Sequence, residues 1–152
     1  MMEVVADDRI ERVYRAEHDR LWRSLLSYTG SADLASEAES EAFTQLIGRG
    51  AEIRDPAAWV WRSAYRIANG LMDRGRRAAV GVDPTPVTDW SIVDLLSMLD
   101  GLSRQQRACV VLRYVGGFTG PEIAELLDTS AGTVRVQLHR AHETLRATLE
   151  TT

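Results

Sequence analysis

Between Phe118 and Leu145 the chain spells out two helices that have to lie back to back. The segment reads FTGPEIAELLDTSAGTVRVQLHRAHETL. Thr119-x-x-Glu122 is a capping box, with Pro121 in the first turn, where a missing N–H costs nothing. Asp128-Thr129-Ser130 makes a tight break, and Ser130 can cap a second, longer helix. Ile123, Ala124 and Leu127 are spaced to point inward from the first helix. On the second, Val134, Leu138, Ala141 and Leu145 recur at 4-3-4 spacing. At 100° per residue they fall within about 60° of one another. Length, order and turn predict a helix-turn-helix.

That stripe dictates what faces outward. The opposite side of the second helix carries Gly132, Val136, His139 and Glu143, flanked by Arg135 on one side and by Thr133 and Arg140 on the other. Small residues at a helix start let backbone N–H groups approach a phosphate. Arg135 and Arg140 can reach phosphates or guanine edges, and Val136 a thymine methyl. The plain alternative is a surface helix with its arginines in water. A helix-turn-helix alone does not specify a use.

Upstream, the punctuation is helical almost throughout. Ile10, Tyr14, Leu21, Leu25 and Tyr28 predict a helix over about 8–28, stopped by Gly30. Ser31 caps a second helix bearing Leu34, Ala38, Ala42, Leu46 and Ile47 on one face, with Gly48 and Gly50 ending it. Asp55-Pro56 starts a third, running to about Arg77. Gly81, Pro84 and Pro86 mark a linker. A short helix over about 91–99 follows, then one capped by Ser103-x-x-Gln106 and stopped at Gly116-Gly117. No strand-like alternation of useful length interrupts this pattern. The expectation is an all-α chain of two small helical domains, 1–77 and 91–152, joined by a linker over 78–90, the C-terminal domain being the helix-turn-helix.

Charge argues against DNA binding only in total. The formal net charge is −4, but all 18 basic residues are arginine and they cluster. Residues 56–77 hold Arg62, Arg66, Arg74, Arg76 and Arg77 against Asp73 alone. The stretch 131–146 holds three arginines against Glu143, while 78–101 holds four acids and no base. Two basic helices thus alternate with acidic segments, and distribution matters more than the sum. Cys109 is the sole cysteine, which excludes an intrachain disulfide and a cysteine-rich metal site. It sits in an apolar helix and is expected to be a buried, inert thiol. His18, His139 and His142 make no metal set, and the carboxylates form no specific acid/base pair. Neither a phosphate loop nor a nucleophile elbow is present. No metal, cofactor or enzymatic activity is expected. No apolar run approaches the roughly 18 residues of a membrane span, and the N-terminus has no signal-peptide pattern. A cytoplasmic protein without membrane insertion fits these features.

The residues from Leu102 to Leu149 resemble the C-terminal domain of the extracytoplasmic-function (ECF) class of bacterial sigma factors. The resemblance rests most on Leu112-Arg113-Tyr114, Glu122-Ile123-Ala124, Gly132-Thr133-Val134-Arg135 and Leu138-His139-Arg140-Ala141. It implies that this domain reads the −35 element through Gly132, Thr133, Arg135, Val136, His139 and Arg140. The N-terminal half is similar more loosely, through Tyr14-x6-Leu21, Asp33, Glu37, Glu41-Ala42-Phe43 and Trp59-Val60-Trp61-Arg62. By that resemblance Glu37 and Glu41 face the clamp helices of core RNA polymerase. The loop Gly48–Asp55 holds a flipped −10 base, and Trp59, Trp61, Arg62, Tyr65 and Arg66 meet the opened strand. Ala38-Glu39-Ser40 departs from the family pattern, which has an apolar pair followed by Gln, and Arg66 stands where Asn is frequent.

Implied partners are core RNA polymerase, promoter DNA and an anti-sigma factor. Stacking of unpaired bases on aromatic faces is worth roughly 1–3 kcal/mol each. Yet aromatic residues at helical spacing are usually core, so at least one of Trp59 and Trp61 is expected to be buried. Trp22 and Trp90 are expected to be core or partner-facing. For the acidic linker, Asp83 and Asp89 either mimic nucleic acid near the polymerase active site, as the resemblance implies, or simply solvate a spacer. Two other functions stay open: a stand-alone helix-turn-helix regulator, and a degenerate sigma-like interaction module.

Overall fold

A computed structural model describes the backbone of residues 2–78 and 90–150, and the side chains of 8–50, 52–75 and 95–150. Seven α-helices and one 3-10 turn make up its secondary structure, with no strand among the described residues. The helices are α1 (Met2–Thr29), α2 (Ala32–Arg49), α3 (Pro56–Ala78), α4 (Trp90–Asp100), α5 (Arg104–Tyr114), α6 (Gly120–Leu126) and α7 (Ala131–Glu150). The linker residues Asp83 and Asp89 and the side chain of Trp90 lie outside the described residues.

The helix ends follow local chemistry. Ser31 accepts from the Leu34 N–H, Asp55 from Ala58 and Ser130 from Thr133. Both capping boxes close: Ser103 with Gln106, and Thr119 with Glu122, each pair reciprocal. The Thr119 bonds hold the exposed Glu122 carboxyl below its ordinary range. Gly30 and Gly117 adopt left-handed φ of 73° and 75°, as helix-ending glycines do. Between α6 and α7, Asp128 takes φ 54°. There the Thr129 N–H reaches Ala124 O at 2.9 Å, the longer bond of a Schellman stop, with Asp in the place glycine usually fills. Gly50 caps the end of α2 as expected. Its φ is −47°, so it is not a left-handed stop. A Cβ there would sit 3.0 Å from Ile10 Cδ1, so closeness to α1 is what limits this position.

Helices α1, α2 and α3 pack on one another, as do α5, α6 and α7. The buried side of α2 is small, with Ala35, Ala38 and Ala42 fully enclosed. Larger residues from α1 and α3 fill the space, chiefly Leu21, Leu25, Val60 and Tyr65. The Tyr65 hydroxyl shares a 2.6 Å hydrogen bond with Ser24, and Tyr28 donates to Asn69. Burial pushes the Tyr28 phenol up to about 12. In the second group, Val134 and Ala141 of α7 are fully buried, and Leu138 and Leu145 pack on the same core. Cys109 is buried there as well, its thiol pushed up by desolvation to about 11.

The two groups also touch. Contacts run from α1 to α4 and α5, and from α3 to α6. Arg107 gathers three carbonyls: Leu99 at 2.9 Å, Leu102 at 3.2 Å and, from the other group, Tyr28 at 3.1 Å. Arg104 pairs with Asp73 at 2.5 Å. Because α6 is only two turns long, its cap carries much of its stability. Thr119→Ala is expected to lower unfolding stability by about 1 kcal/mol, read from denaturant midpoints. An unchanged midpoint would mean the capping box contributes nothing.

Candidate nucleic-acid interface

The stripe that anchors α7 turns its other side to solvent. Gly132, Arg135, Val136, His139 and Arg140 are exposed and Thr133 half-buried. Val136 stands 46% exposed, an apolar contact point without a neighbour to cover it. The guanidinium groups of Arg135 and Arg140 have no partner among the described residues. Thr133 is the exception to an open face, since its hydroxyl lies 2.8 Å from Ser130 Oγ in the cap. His139 pairs with Glu143 at 3.1 Å. His142 is tied elsewhere, its Nε2 2.9 Å from the Tyr114 hydroxyl. The six residues expected on this face therefore lie along one side of one helix.

Helix α3 divides its candidates. Val60, Trp61, Ala64, Tyr65 and Ala68 are buried, one face of the helix. Arg62 and Arg66 are exposed and Trp59 is half-buried, on the other. Tyr65, expected to meet an opened strand, is enclosed in this arrangement. It lies four residues after Trp61, on the same inner side, and its ring packs 4.9 Å from that of Tyr28. Trp61 is 1% exposed and equally unable to stack a base in this arrangement. Trp59 lies beside the loop between α2 and α3. With Arg49, Ile53, Arg54 and Arg62 it lines a cleft of about 390 Å³. Arg9 of α1 holds that loop through Ile53 O at 2.8 Å and Arg54 O at 2.7 Å.

Trp61 is covered by the other half of the chain. Phe118 meets its ring edge-on, with centroids 4.8 Å apart. The Arg20 guanidinium lies 5.2 Å from the Trp61 ring centre and 5.3 Å from that of Phe118. It also donates to Gly116 O at 3.1 Å and to Glu17 at 2.5 Å, and the same Glu17 oxygen accepts the Trp61 indole N–H at 3.0 Å. Gly116 permits this approach. A Cβ would fall 2.7 Å from Leu112 O and 2.8 Å from the Phe118 ring. Sequence reasoning missed Arg20, Glu17 and Phe118. The one local signal is an apolar residue just before an N-cap, which ordinarily staples to its own helix; here it reaches across to α3.

Between α3 and α6 an open groove of about 680 Å³ sets Arg62, Arg66 and Asn69 opposite Glu125 and Asp128. On α2, Glu37 and Glu41 are both exposed, and Gln45 donates to Glu41 at 3.1 Å. Trp22 donates to Ser36 at 3.0 Å on the same helix.

Known proteins resemble this chain in sequence and in fold. Residues 92–145 match the family described as Sigma-70, region 4. The ECF RNA polymerase sigma factor SigK of Mycobacterium ulcerans (strain Agy99) is 31% identical over 110 residues, covering 62% of this chain and 59% of its own length. The ECF RNA polymerase sigma factor SigL of Mycobacterium tuberculosis (strain ATCC 25618 / H37Rv) is 28% identical over 162 aligned positions, 95% of this chain and 92% of SigL. Two solved structures share the fold. One is the sigma factor RpoE in complex with the anti-sigma factor NepR from Bartonella quintana, with a TM-score of 0.73 at 18% identity, covering 95% of this chain and 96% of that one. The other is CnrH in complex with the cytosolic domain of CnrY, with a TM-score of 0.78 at 19% identity, covering 98% and 97%.

The cover on Trp61 is measurable. An aromatic pair adds about 0.5–1.5 kcal/mol beyond burial, so Phe118→Ala is expected to speed hydrogen exchange of the Trp61 indole N–H by roughly two- to twelvefold. The Trp59 indole serves as internal control, and a Trp61→Phe spectrum assigns the resonance. Equal exchange in both proteins would show that Phe118 shields nothing.

Proposed function

We infer that this chain is a sigma factor of the ECF class, a non-catalytic subunit that gives bacterial RNA polymerase its promoter specificity. The observation that carries the reading is the outward side of α7. Its arginines and Val136 are exposed, with no partner for the arginines among the described residues, while Val134, Leu138, Ala141 and Leu145 hold the helix to α5 and α6. A recognition helix needs that division, because groove contacts require side chains that no internal partner has claimed.

In this reading, residues 91–152 form the −35-reading domain, with Gly132, Thr133, Arg135, Val136, His139 and Arg140 against the major groove. Residues 1–77 form the polymerase- and −10-binding domain. Glu37 and Glu41 meet core polymerase. Trp59, Arg62 and Arg66 meet the opened strand, with the cleft beside Trp59 taking a flipped base. Trp61 joins them only when Phe118 withdraws. One solved structure of this fold was captured with an anti-sigma factor and another with the cytosolic domain of CnrY, which supports a protein partner of that kind for this chain. No helix among the described residues is long and apolar enough to cross a membrane, and a cytoplasmic place beside the polymerase follows from the function.

The work demands binding, not catalysis. Stacking faces and charge-assisted phosphate contacts supply what strand opening needs. With few phosphate contacts and a net charge of −4, the free chain is expected to bind duplex DNA weakly. Run-off transcription with purified core polymerase tests the proposal. Arg135→Ala and Arg140→Ala are each expected to weaken −35-dependent initiation by an amount equivalent to about 1–3 kcal/mol. Footprints at two promoter sites should require core polymerase. Palindromic binding without polymerase would identify a stand-alone regulator. Unchanged transcription with both arginines removed would show that α7 does not read DNA.

A further inference from the structure

The loop between α2 and α3 is short of partners for its own backbone. Past the 3-10 turn Gly50–Glu52 the chain runs extended at Ile53, with φ −94° and ψ 120°. Asp55 then caps α3 through the Ala58 N–H. Pro56 stands three residues after Ile53 and has no N–H, so the bond that would close a turn on Ile53 O cannot form. A protein donor for the Ile53 and Arg54 carbonyls has to come from outside the loop.

Arg9 of α1 supplies it. A single guanidinium nitrogen, Nη2, donates to both carbonyls, at 2.8 Å to Ile53 O and 2.7 Å to Arg54 O. Both bonds are charge-assisted, which makes each stronger than a neutral pair. They join positions 44 and 45 residues apart. The next residue secures the near end of the same loop. Ile10 is buried, and its Cδ1 would lie 3.0 Å from a Cβ at Gly50. Adjacent side chains of α1 thus hold both shoulders of the loop, one by packing and one by hydrogen bonding.

The segment held in this way is a wall. Ile53 and Arg54 line the cleft of about 390 Å³ together with Arg49, Trp59 and Arg62, whereas Arg9 is not among the lining residues. Arg9 therefore acts from behind the loop. Turning two successive carbonyls toward one guanidinium fixes their peptide planes, and with them the directions in which the Ile53 and Arg54 side chains leave the chain. A wall free to rotate its peptides fits several bases about equally well, and a fixed one rejects those that do not match it. We propose that Arg9 is a positioning residue for −10 discrimination, on the reading that this cleft takes a flipped base. By holding Ile53 O and Arg54 O it keeps the cleft in one shape, and it gives α1 a part in promoter choice.

Two variants of the full chain separate the donors from the stem that carries them. Arg9→Met keeps an apolar stem without donors, and Arg9→Lys keeps a cation able to serve both carbonyls. Initiation is measured with purified core polymerase on promoters substituted base by base through the −10 element. Discrimination is the ratio between the best and the worst base at the most selective position, where a wrong base costs roughly 5- to 150-fold. Arg9→Met is expected to cut that ratio about fivefold or more, with −35 discrimination and affinity for core polymerase unchanged. Arg9→Lys is expected to recover most of the loss. Limited trypsin cleavage after Arg49 and Arg54 reads the loop directly. Arg9→Met is expected to speed it about fivefold, with cleavage after Arg135 as the internal control.

Unchanged cleavage in Arg9→Met would show that Arg9 holds no loop, and overturns the proposal while leaving the sigma-factor reading intact. Faster cleavage with unchanged discrimination overturns it as well, because nothing is then selected through that wall. A drop in initiation that is equal on every promoter makes the tie merely structural, with the same consequence. A lysine variant no better than the methionine one places the effect in the shape of the side chain rather than in its two bonds, and also overturns it. A wild-type chain that does not initiate with core polymerase overturns both this proposal and the reading beneath it.

Discussion

One guanidinium joins the two halves of this molecule. Arg20 touches the rings of Trp61 and Phe118, the carbonyl of Gly116 and the carboxylate of Glu17. Cation–π contacts of this kind are worth about 0.5 kcal/mol at exposed sites and about 2 when desolvated. The Arg20 side chain is 43% exposed, which places it nearer the lower figure. Polar ties add to it: Arg107 to Tyr28 O, and Arg104 to the well-exposed Asp73. An interface of arginines on carbonyls, with one aromatic pair at its centre, resembles those between domains that move. It holds two small helical groups together without making them inseparable.

The location of that contact has a consequence for electrostatics. In the joined arrangement the groove between α3 and α6 sets Glu125 and Asp128 across from Arg62 and Arg66. No ion pair closes between them, so the acids lower the local potential without neutralising either arginine. A phosphate backbone approaching α3 meets this acidic wall. Separation of the halves would remove it and would uncover Trp61 by the same movement. On the proposed function, the formal charge of the chain therefore understates how strongly α3 would attract DNA with α6 withdrawn.

Local rules made most of the fold legible. Caps at Ser31, Asp55, Ser103, Thr119 and Ser130 each rest on a side chain within three residues of the N–H it binds. The stripe on α7 was readable for the same reason. Aromatic residues on α3 were harder. Trp59, Trp61 and Tyr65 share one chemistry, and only the burial of Val60, Ala64 and Ala68 beside them fixes which side is inner. Gly50 ends α2 as its position in the sequence implies, and only the fold reveals that a Cβ there would also press on Ile10 of α1. Glu39 is the furthest from prediction, because a carboxylate among alanines reads as solvated until tertiary packing encloses it. Contacts between the halves depend on residues nearly a hundred positions apart, such as Arg20 and Gly116, and no local pattern announces them.

These placements make the two candidate DNA faces unequal. The outer side of α7 lies open while the halves are joined, and nothing has to move before Arg135, Val136 or Arg140 can enter a groove. On α3 only Trp59, Arg62 and Arg66 are within reach, and Trp61 waits under Phe118. In the proposed reading, duplex recognition by α7 therefore needs no rearrangement, whereas full engagement of an opened strand by α3 needs the Arg20 contact to break. A partner that binds the separated arrangement better shifts the equilibrium by its differential affinity and no more. With the Arg20 cation–π contact near the exposed-site value of about 0.5 kcal/mol, that demand is modest. It is also steep enough that a regulator gripping both halves at once would keep Trp61 covered, simply by adding its own binding energy to the joined form.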